Sequence, residues 1–454
     1  QQLQDEGVAP LLPQAGVVIV DEAHQLNDTG VQFAGTTLST RQLLGFARDA
    51  MAVTTEHARG LHPWLDALVA LEQTVQHWSA TAATVPLGVR QSWLGASPQG
   101  VDAAQWTAQL HRVGRSLRLV WQALGSVQEA APALVQLQAR AGQLLHTLAL
   151  FAHPAPVDSV RWLDRQARHL VLTQAPLTVA PLLQAIVQAG STPQAWVFTS
   201  ATLGDSDDLQ WFTRTCGLPE ARTLRVASPF DYATQASLYV PPDAPPVQAQ
   251  AAHSAFVARL AQVGAQQLGG RTLVLTTTLK ALQAIGNHLQ QQFGQAGGLF
   301  TAIDVLVQGQ GSKHALLERF RQGTVQGRGC VLVASATFWE GVDIAGDALQ
   351  LLIIDKLPFA PPDDPLVQAR THQLEGLGLN AFNDYLLPEA AMALKQGVGR
   401  LIRSETDQGM VVIADTRLLE KAYGPRLLAA LPPMRLLTSQ EAWQERLQQL
   451  QALR

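Results

Sequence analysis

Gly16-Val17-Val18-Ile19-Val20-Asp21-Glu22-Ala23-His24 is the stretch whose reading decides the fold. Four apolar β-branched residues run into two adjacent carboxylates. A continuous apolar run of this length predicts a strand buried on both faces, as in a parallel sheet. Acids at the C-terminal end of such a strand sit where open α/β sheets take their ligands. There, a first carboxylate can hold Mg²⁺ through water, and a second can polarise a water that attacks a γ-phosphate. The plain alternative is a strand end followed by an Asp that caps a helix. Four letters alone do not separate the two.

The composition sets the frame for this pair. A chain of 454 residues has room for about three domains. Hydrophobic residues make up 47% and charged residues 15%, which allows large cores and argues against wholesale disorder. The formal net charge is -4, so any nucleic-acid site is a local groove rather than a global basic field. The two cysteines, Cys216 and Cys330, exclude a disulfide framework and a four-cysteine metal site within the chain. A reducing, cytoplasmic compartment fits. No apolar run reaches the ~18 residues of a membrane span, and no signal peptide is visible. The chain starts at Gln1 and contains no G-x-x-x-x-G-K-[ST] phosphate loop. Gly309-Gln310-Gly311-Ser312-Lys313 comes nearest, with the wrong spacing and order. The sequence therefore reads as a fragment whose upstream part is missing.

Outward from the acidic pair, the character changes at about Thr36. Ala, Leu, Gln and Arg dominate up to Arg165, and helical spacing of apolar residues appears over 103–124 and 130–150. This predicts a helical insertion. Trp64, Trp78, Trp93, Trp106 and Trp121 fall within it, either as helix-bundle core or as exposed stacking platforms for single-stranded nucleic acid. Arg112, Arg115 and Arg118 form either a solvated face or a phosphate-tracking stripe. From Val171 the α/β pattern returns, with a helix expected over 181–189 and a strand at Ala195-Trp196-Val197-Phe198. Pro241, Pro242, Pro245 and Pro246 read as a linker. Beyond it, strands at 272–276, 331–334, 349–354 and 410–413 alternate with helices at 251–268, 279–293 and 313–321. Such alternation predicts a second parallel sheet with right-handed crossovers. A last amphipathic helix is expected over 439–454. The expected organisation is 1–35 and 166–240 as a first α/β domain, 36–165 as its insertion, and 247–454 as a second α/β domain.

Three further features follow the acidic pair in fixed order. Ser200-Ala201-Thr202 closes a strand and offers short hydroxyls for a hydrogen-bond relay, or simply a helix cap. Glu340, Gly341 and Asp343, in Phe338-Trp339-Glu340-Gly341-Val342-Asp343-Ile344, follow another strand, as nucleotide-sensing acids or as a turn. In Gln396-Gly397-Val398-Gly399-Arg400-Leu401-Ile402-Arg403 the two arginines are read as one helical turn apart, with both guanidinium forks on one face and Gly397 and Gly399 at the helix start. Such forks suit phosphate oxygens, although surface arginines after a glycine turn would give the same pattern.

Together these words resemble motifs II, III, V and VI of the superfamily 2 helicases. Ser228-Pro229-Phe230-Asp231, Leu352-Ile353-Ile354-Asp355-Lys356-Leu357-Pro358-Phe359 and the Gln396–Arg403 block look like the DinG/XPD branch. The resemblance spans nearly the whole chain, strongly over 171–417 and weakly over 36–165. It implies two RecA-like parallel-sheet motor domains with an arch-like helical insertion, and ATP-dependent unwinding of DNA with 5′→3′ movement on single strands in repair or replication. It implies ATP and Mg²⁺ between the domains. Asp21 would position the metal, Glu22 would be the catalytic acid and His24 the coupling residue. Gln396, Arg400 and Arg403 would meet the triphosphate, with Gly397 and Gly399 beside them. Ser200, Thr202, Thr276 and Thr278 would serve the DNA path and its coupling. It implies single-stranded or forked DNA, a single-strand-binding or replication protein as partner, a monomer, and no membrane. Many members also carry a four-cysteine iron–sulfur cluster upstream of the acidic motif. Two other readings share these residues: a DNA-binding remnant that has lost ATP chemistry, and a translocase that moves without unwinding. A metalloenzyme is disfavoured, because His24 lacks the H-E-x-x-H spacing.

Overall fold

The structure, a computed structural model, describes residues 15–188, 194–204, 206, 208–294, 303–325, 327–335, 338 and 348–453. In chain order, β1 (Val17–Val20) leads through a single 3₁₀ turn into α1 (Leu26–Ala34). Then come β2 (Thr36–Ser39), α2 (Thr40–His57), α3 (Trp64–Thr81), β3 (Arg90–Ser92), α4 (Ala103–Val127) and α5 (Pro132–Ala152). Strands β4 (Ser159–Arg165) and β5 (Leu170–Pro176), helix α6 (Ala180–Gln188), β6 (Ala195–Phe198) and β7 (Ala236–Tyr239) follow. The later part carries α7 (Gln250–Leu268), β8 (Thr272–Thr276), α8 (Leu279–Gly294), β9 (Ile303–Val307), α9 (Lys313–Arg321), β10 (Gly329–Ser335) and β11 (Leu351–Ile354). It ends with α10 (Pro365–Gly376), α11 (Leu387–Val398), β12 (Gly409–Ile413), β13 (Arg435–Leu437) and α12 (Gln440–Ala452). The class is α/β, as expected, and the chain divides into two compact units.

The first unit comprises the described residues of Gln1–Thr199, Thr213–Glu220 and Pro361–Ala381. Its β1 is the expected strand and pairs in parallel with β6, Val17 opposite Ala195 and Val20 opposite Phe198. Burial on both faces is not observed. Among the described residues this sheet has two strands, and Val17 and Ile19 stay 54% and 68% exposed. The stretch expected as a helical insertion holds α2–α5, and with them β2, β3 and β4. With β5 these form a four-stranded antiparallel sheet in the order β2-β5-β4-β3. Of the five tryptophans weighed above, Trp64, Trp78, Trp93 and Trp106 are core: Trp78 stacks at a tilt on Trp106, and Trp106 meets Trp93 edge-on. Trp121 alone remains 37% exposed.

Arg161, on β4, is the keystone of this unit. It is buried and stacks over Trp93 and Phe151. Its Nη1 and Nη2 each donate to a carbonyl at the C-terminal end of α5, His153 O and Leu150 O, both at 2.5 Å, and its Nε donates to Gln174 Oε1 at 2.7 Å. A cation at a helix C-terminus also meets the negative end of the helix dipole. Arg161→Leu strands these acceptors out of water, and charged hydrogen bonds contribute about 1.5–3 kcal/mol each. We expect a loss of ~3 kcal/mol, read as a lower thermal midpoint by circular dichroism. An unchanged midpoint would refute the keystone role.

The second unit comprises the described residues of Ser200–Phe212, Ala221–Ala360 and Phe382–Arg454. Its sheet has seven parallel strands in the order β13-β7-β12-β11-β8-β10-β9. The central strands β8, β10, β11 and β12 are buried along their whole length, as a sheet covered on both faces requires. One face packs on α7, α8 and α12, the other on α9 and α11.

Two expected boundaries move. Ala236–Tyr239 already lies inside the second sheet, so the proline cluster at 241–246 joins β7 to α7 within one unit. Backbone turns at Pro241 and Pro246 fold this connection, and His253 Nδ1 lies 2.9 Å from Pro245 O. The prolines thus shape a β–α loop instead of a linker. In the other direction, Pro361–Ala381 belongs to the first unit. There Leu366 and Ala369 of α10 pack on Val31, Val160, Ala175 and Leu177. Arg370 donates from Nε to Leu177 O and pairs with Asp28 at 3.3 Å.

Candidate nucleotide and coupling sites

Within the first unit the acidic pair stands at the C-terminal end of β1, as the sequence predicts. Neighbouring β6 ends at the same level. There Thr199 Oγ1 donates to Asp21 Oδ1 at 2.8 Å, and Ala23 N donates to Thr199 O at 2.9 Å. The Thr199 hydroxyl, and after it the backbone N–H of Glu22, hold the Asp21 carboxyl below the ordinary carboxylate range. Asp21 is exposed, so its carboxylate is accessible. Mg²⁺ favours one or two carboxylates together with waters and substrate phosphates, and Asp21 fits that demand. Thr199 is the residue sequence reasoning passed over; a hydroxyl at the first position past β6 was its only signal. Thr199→Val should raise the Asp21 titration toward the ordinary aspartate range, in a carboxyl ¹³C NMR titration. An unmoved midpoint would remove Thr199 from the site.

Glu22 adopts a left-handed backbone, φ 49° and ψ 40°, which a non-glycine residue seldom takes. Such a conformation costs roughly 1–3 kcal/mol and gathers at functional sites. It turns the chain sharply from β1 into the 3₁₀ turn Ala23–Gln25. His24 Nδ1 then lies 3.3 Å from Glu22 Oε2, with the His24 side chain largely buried.

Within the second unit, Thr202 is buried and its Oγ1 accepts from Gln396 Nε2 at 3.0 Å. Ser200 Oγ accepts from the Thr202 backbone N–H at 3.2 Å. The structure thus joins Ser200, Thr202 and Gln396 into one hydrogen-bonded set. Lys395, beside Gln396, is held below the usual lysine range by burial and then by the Arg225 guanidinium, a cationic neighbourhood the sequence did not advertise.

The helical placement of the arginines is corrected. Gly397 lies in the last turn of α11 and Gly399 is its C-cap, so the glycines end a helix instead of starting one. Arg400 lies in the following turn, and Arg403 lies beyond it in non-helical chain. Asp407 Oδ2 accepts from the Arg403 and Ser404 backbone N–H groups at 2.7 and 2.9 Å and fixes the loop. Of the threonines after β8, Thr278 is exposed. Thr276 is buried and turns its hydroxyl inward to Thr278 O at 3.3 Å. Glu340, Gly341 and Asp343 lie outside the described residues.

Two buried acids at the same edge of this sheet also escaped sequence reading. Asp355, just past β11, is pushed up by burial although Lys356 and the Thr277 N–H oppose the shift. Asp415, past β12, is also raised by burial, but hydrogen bonds from Arg417 and Leu357 N–H outweigh this and its net shift is downward. They pin the loops that follow their strands. Cys216 and Cys330 are both buried, with thiols pushed up to about 12 and about 11 by burial. Two such thiols do not fit an iron–sulfur ligand set, which takes four thiolates.

Two units with parallel sheets, one bearing Asp-Glu-Ala-His at a strand end and the other the Gln396–Arg403 block, define a helicase-type α/β chain. Residues 263–434 match the helicase C-terminal domain family. An ATP-dependent DNA helicase YoaA from Escherichia coli is 34% identical over 432 residues, covering 95% of this chain and 64% of that protein. An ATP-dependent helicase DinG from Mycobacterium tuberculosis is 35% identical over 314 residues, covering 67% of this chain and 44% of that protein. Among solved structures, Xpd4 of S. tokodaii aligns with a TM-score of 0.53 at 16% identity, over 93% of this chain and 76% of that one. The chain is thus similar in sequence to the YoaA and DinG helicases and shares its fold with Xpd4. It spans 64% of the length of its YoaA relative.

Proposed function

We propose that this chain is the greater part of an ATP-dependent DNA helicase that moves 5′→3′ on single strands. The observation that carries the reading is the Asp21–Thr199 hydrogen bond, with Glu22 in its strained turn beside it. It gives an accessible, ionised carboxylate and a second acid at the level where parallel sheets bind nucleotides. Asp21 would hold the nucleotide's magnesium through water. When bound, that ion neutralises charge on the phosphate oxygens. Glu22 would accept the proton of the attacking water, oriented by His24. Arg400 and Arg403 would meet phosphate oxygens, with Gln396 tied to Thr202 so that nucleotide state and DNA contacts move together. Thr278 would lie on the DNA path. Residues 36–165 would act as the arch-like insertion, the rest of the first unit, Pro361–Ala381 included, as one motor, and the second unit as the other. Glu340, Gly341 and Asp343 would sense nucleotide, and an iron–sulfur cluster, where present, would take its thiolates from outside this chain. We place the protein in the cytoplasm as a monomer that works on forked DNA with single-strand-binding or replication proteins. No helix among the described residues is long and apolar enough to cross a membrane. The test is ATP hydrolysis and strand displacement by the complete protein on 5′-tailed forks. Turnover without displacement on any fork would make it a translocase, and no turnover a DNA-binding remnant.

A further inference from the structure

Helices α4 and α5 form an antiparallel pair with an unusual charge pattern. Across residues 103–152 the only acid is Glu129, in the connection between them. Some arginines of the molecule find carboxylates: Arg140 of α5 with Asp49, Arg319 and Arg328 with Asp304, Arg417 with Asp415. Arg112, Arg115 and Arg118 do not. All three are exposed, and among the described residues none makes an ion pair or hydrogen bond. They stand at i, i+3 and i+6, and the next residue of this row is Trp121, the one tryptophan of the region left 37% exposed. Its neighbours on the buried side, Val113, Leu117, Val120 and Leu124, fill the core, so the row is not a by-product of packing.

Members of an i, i+3 row are surface neighbours with Cβ atoms about 5–6 Å apart. A guanidinium is a planar fork that matches phosphate oxygens. Sequence-tolerant single-strand sites combine such cations with an aromatic platform for a base. A duplex offers its phosphates but keeps its bases stacked, and so leaves the indole unused. We infer that Arg112, Arg115, Arg118 and Trp121 form a contact ridge for single-stranded DNA, the arginines on its phosphates and the indole under an unpaired base. The inference rests on the DNA-motor reading and adds to it a strand contact on the insertion, remote in sequence from the motor motifs.

The experiment measures binding of fluorescein-labelled oligo(dT) to the wild-type chain and to the triple Arg112→Gln, Arg115→Gln, Arg118→Gln variant, from 50 to 200 mM salt. Losing three phosphate contacts should flatten the salt slope by about 2, so that the wild type loses roughly 16-fold more affinity than the variant over that range. Thermal midpoints should agree, since the side chains are exposed; a single Arg115→Gln variant, with a third of the effect, serves if the triple one is unstable. Unlabelled oligo(dT) should quench tryptophan fluorescence less in Trp121→Phe than in wild type. Oligo(dT) binding with equal slopes overturns the ridge and leaves the motor reading standing. A wild type that binds no DNA overturns both. Equal Trp121-dependent quenching by a blunt hairpin duplex overturns the assignment to single strands.

Discussion

Glu22→Gln in the complete protein is expected to lower DNA-stimulated ATP hydrolysis by about 10²–10⁴-fold, the usual contribution of a general base, while nucleotide binding stays near wild type. The substitution keeps shape and removes the basic oxygen. The strained backbone at φ 49° is set by the turn out of β1 and not by the carboxylate, so the local fold should survive. Asp21, the metal-binding candidate, keeps its Thr199 partner. The variant should therefore hold a fluorescent ATP analogue with little change in Kd while kcat collapses. Wild-type turnover would take Glu22 out of the chemistry and leave its backbone strain without a functional account.

Arg403→Ala should lower kcat by ~10³-fold or more if its guanidinium meets the phosphates, since arginine fingers contribute on that scale. The loop that presents it is anchored through its backbone, by Asp407 at 2.7 Å, so truncating the side chain leaves the anchor in place. Thermal stability should then fall little. A large fall in the melting midpoint with kcat preserved would reassign Arg403 to packing. Asp407→Ala is the complementary change. It frees the loop while keeping the arginine, and the kcat loss should be smaller and partial.

How much of this was legible depended on the kind of element. Strands β8, β10, β11 and β12 were readable because buried parallel strands are continuous apolar runs, and β1 and β6 because they are apolar runs too, although both stay partly exposed. Strands β2 to β4 were not: Ser159–Arg165 puts Arg161 and Leu163 on one face and Val160 and Trp162 on the other, so no continuous apolar run marks it among the helices. The acidic pair was legible down to its position at the strand end. What the sequence hid was the hydroxyl from the neighbouring strand, since pairing of β1 with β6 spans about 180 residues of chain. The arginine block was misread at its helix. Pro388 lies in the first turn of α11 and Gly399 caps its end, so the signal lay upstream of the motif. The proline cluster misled because prolines also fold tight β–α connections.

The return of Pro361–Ala381 to the first unit has a practical sequel. The chain runs through six alternating segments, 1–199, 200–212, 213–220, 221–360, 361–381 and 382–454, and so passes from one unit to the other five times. No single cut can release either unit whole. A gene truncated at residue 360 would yield a first unit stripped of the helix that buries Val31 and Leu177, and a clone begun at 247 would carry that helix with its apolar side bare. Dissection of this protein into halves therefore calls for a spliced first unit, with 361–381 rejoined through a designed loop.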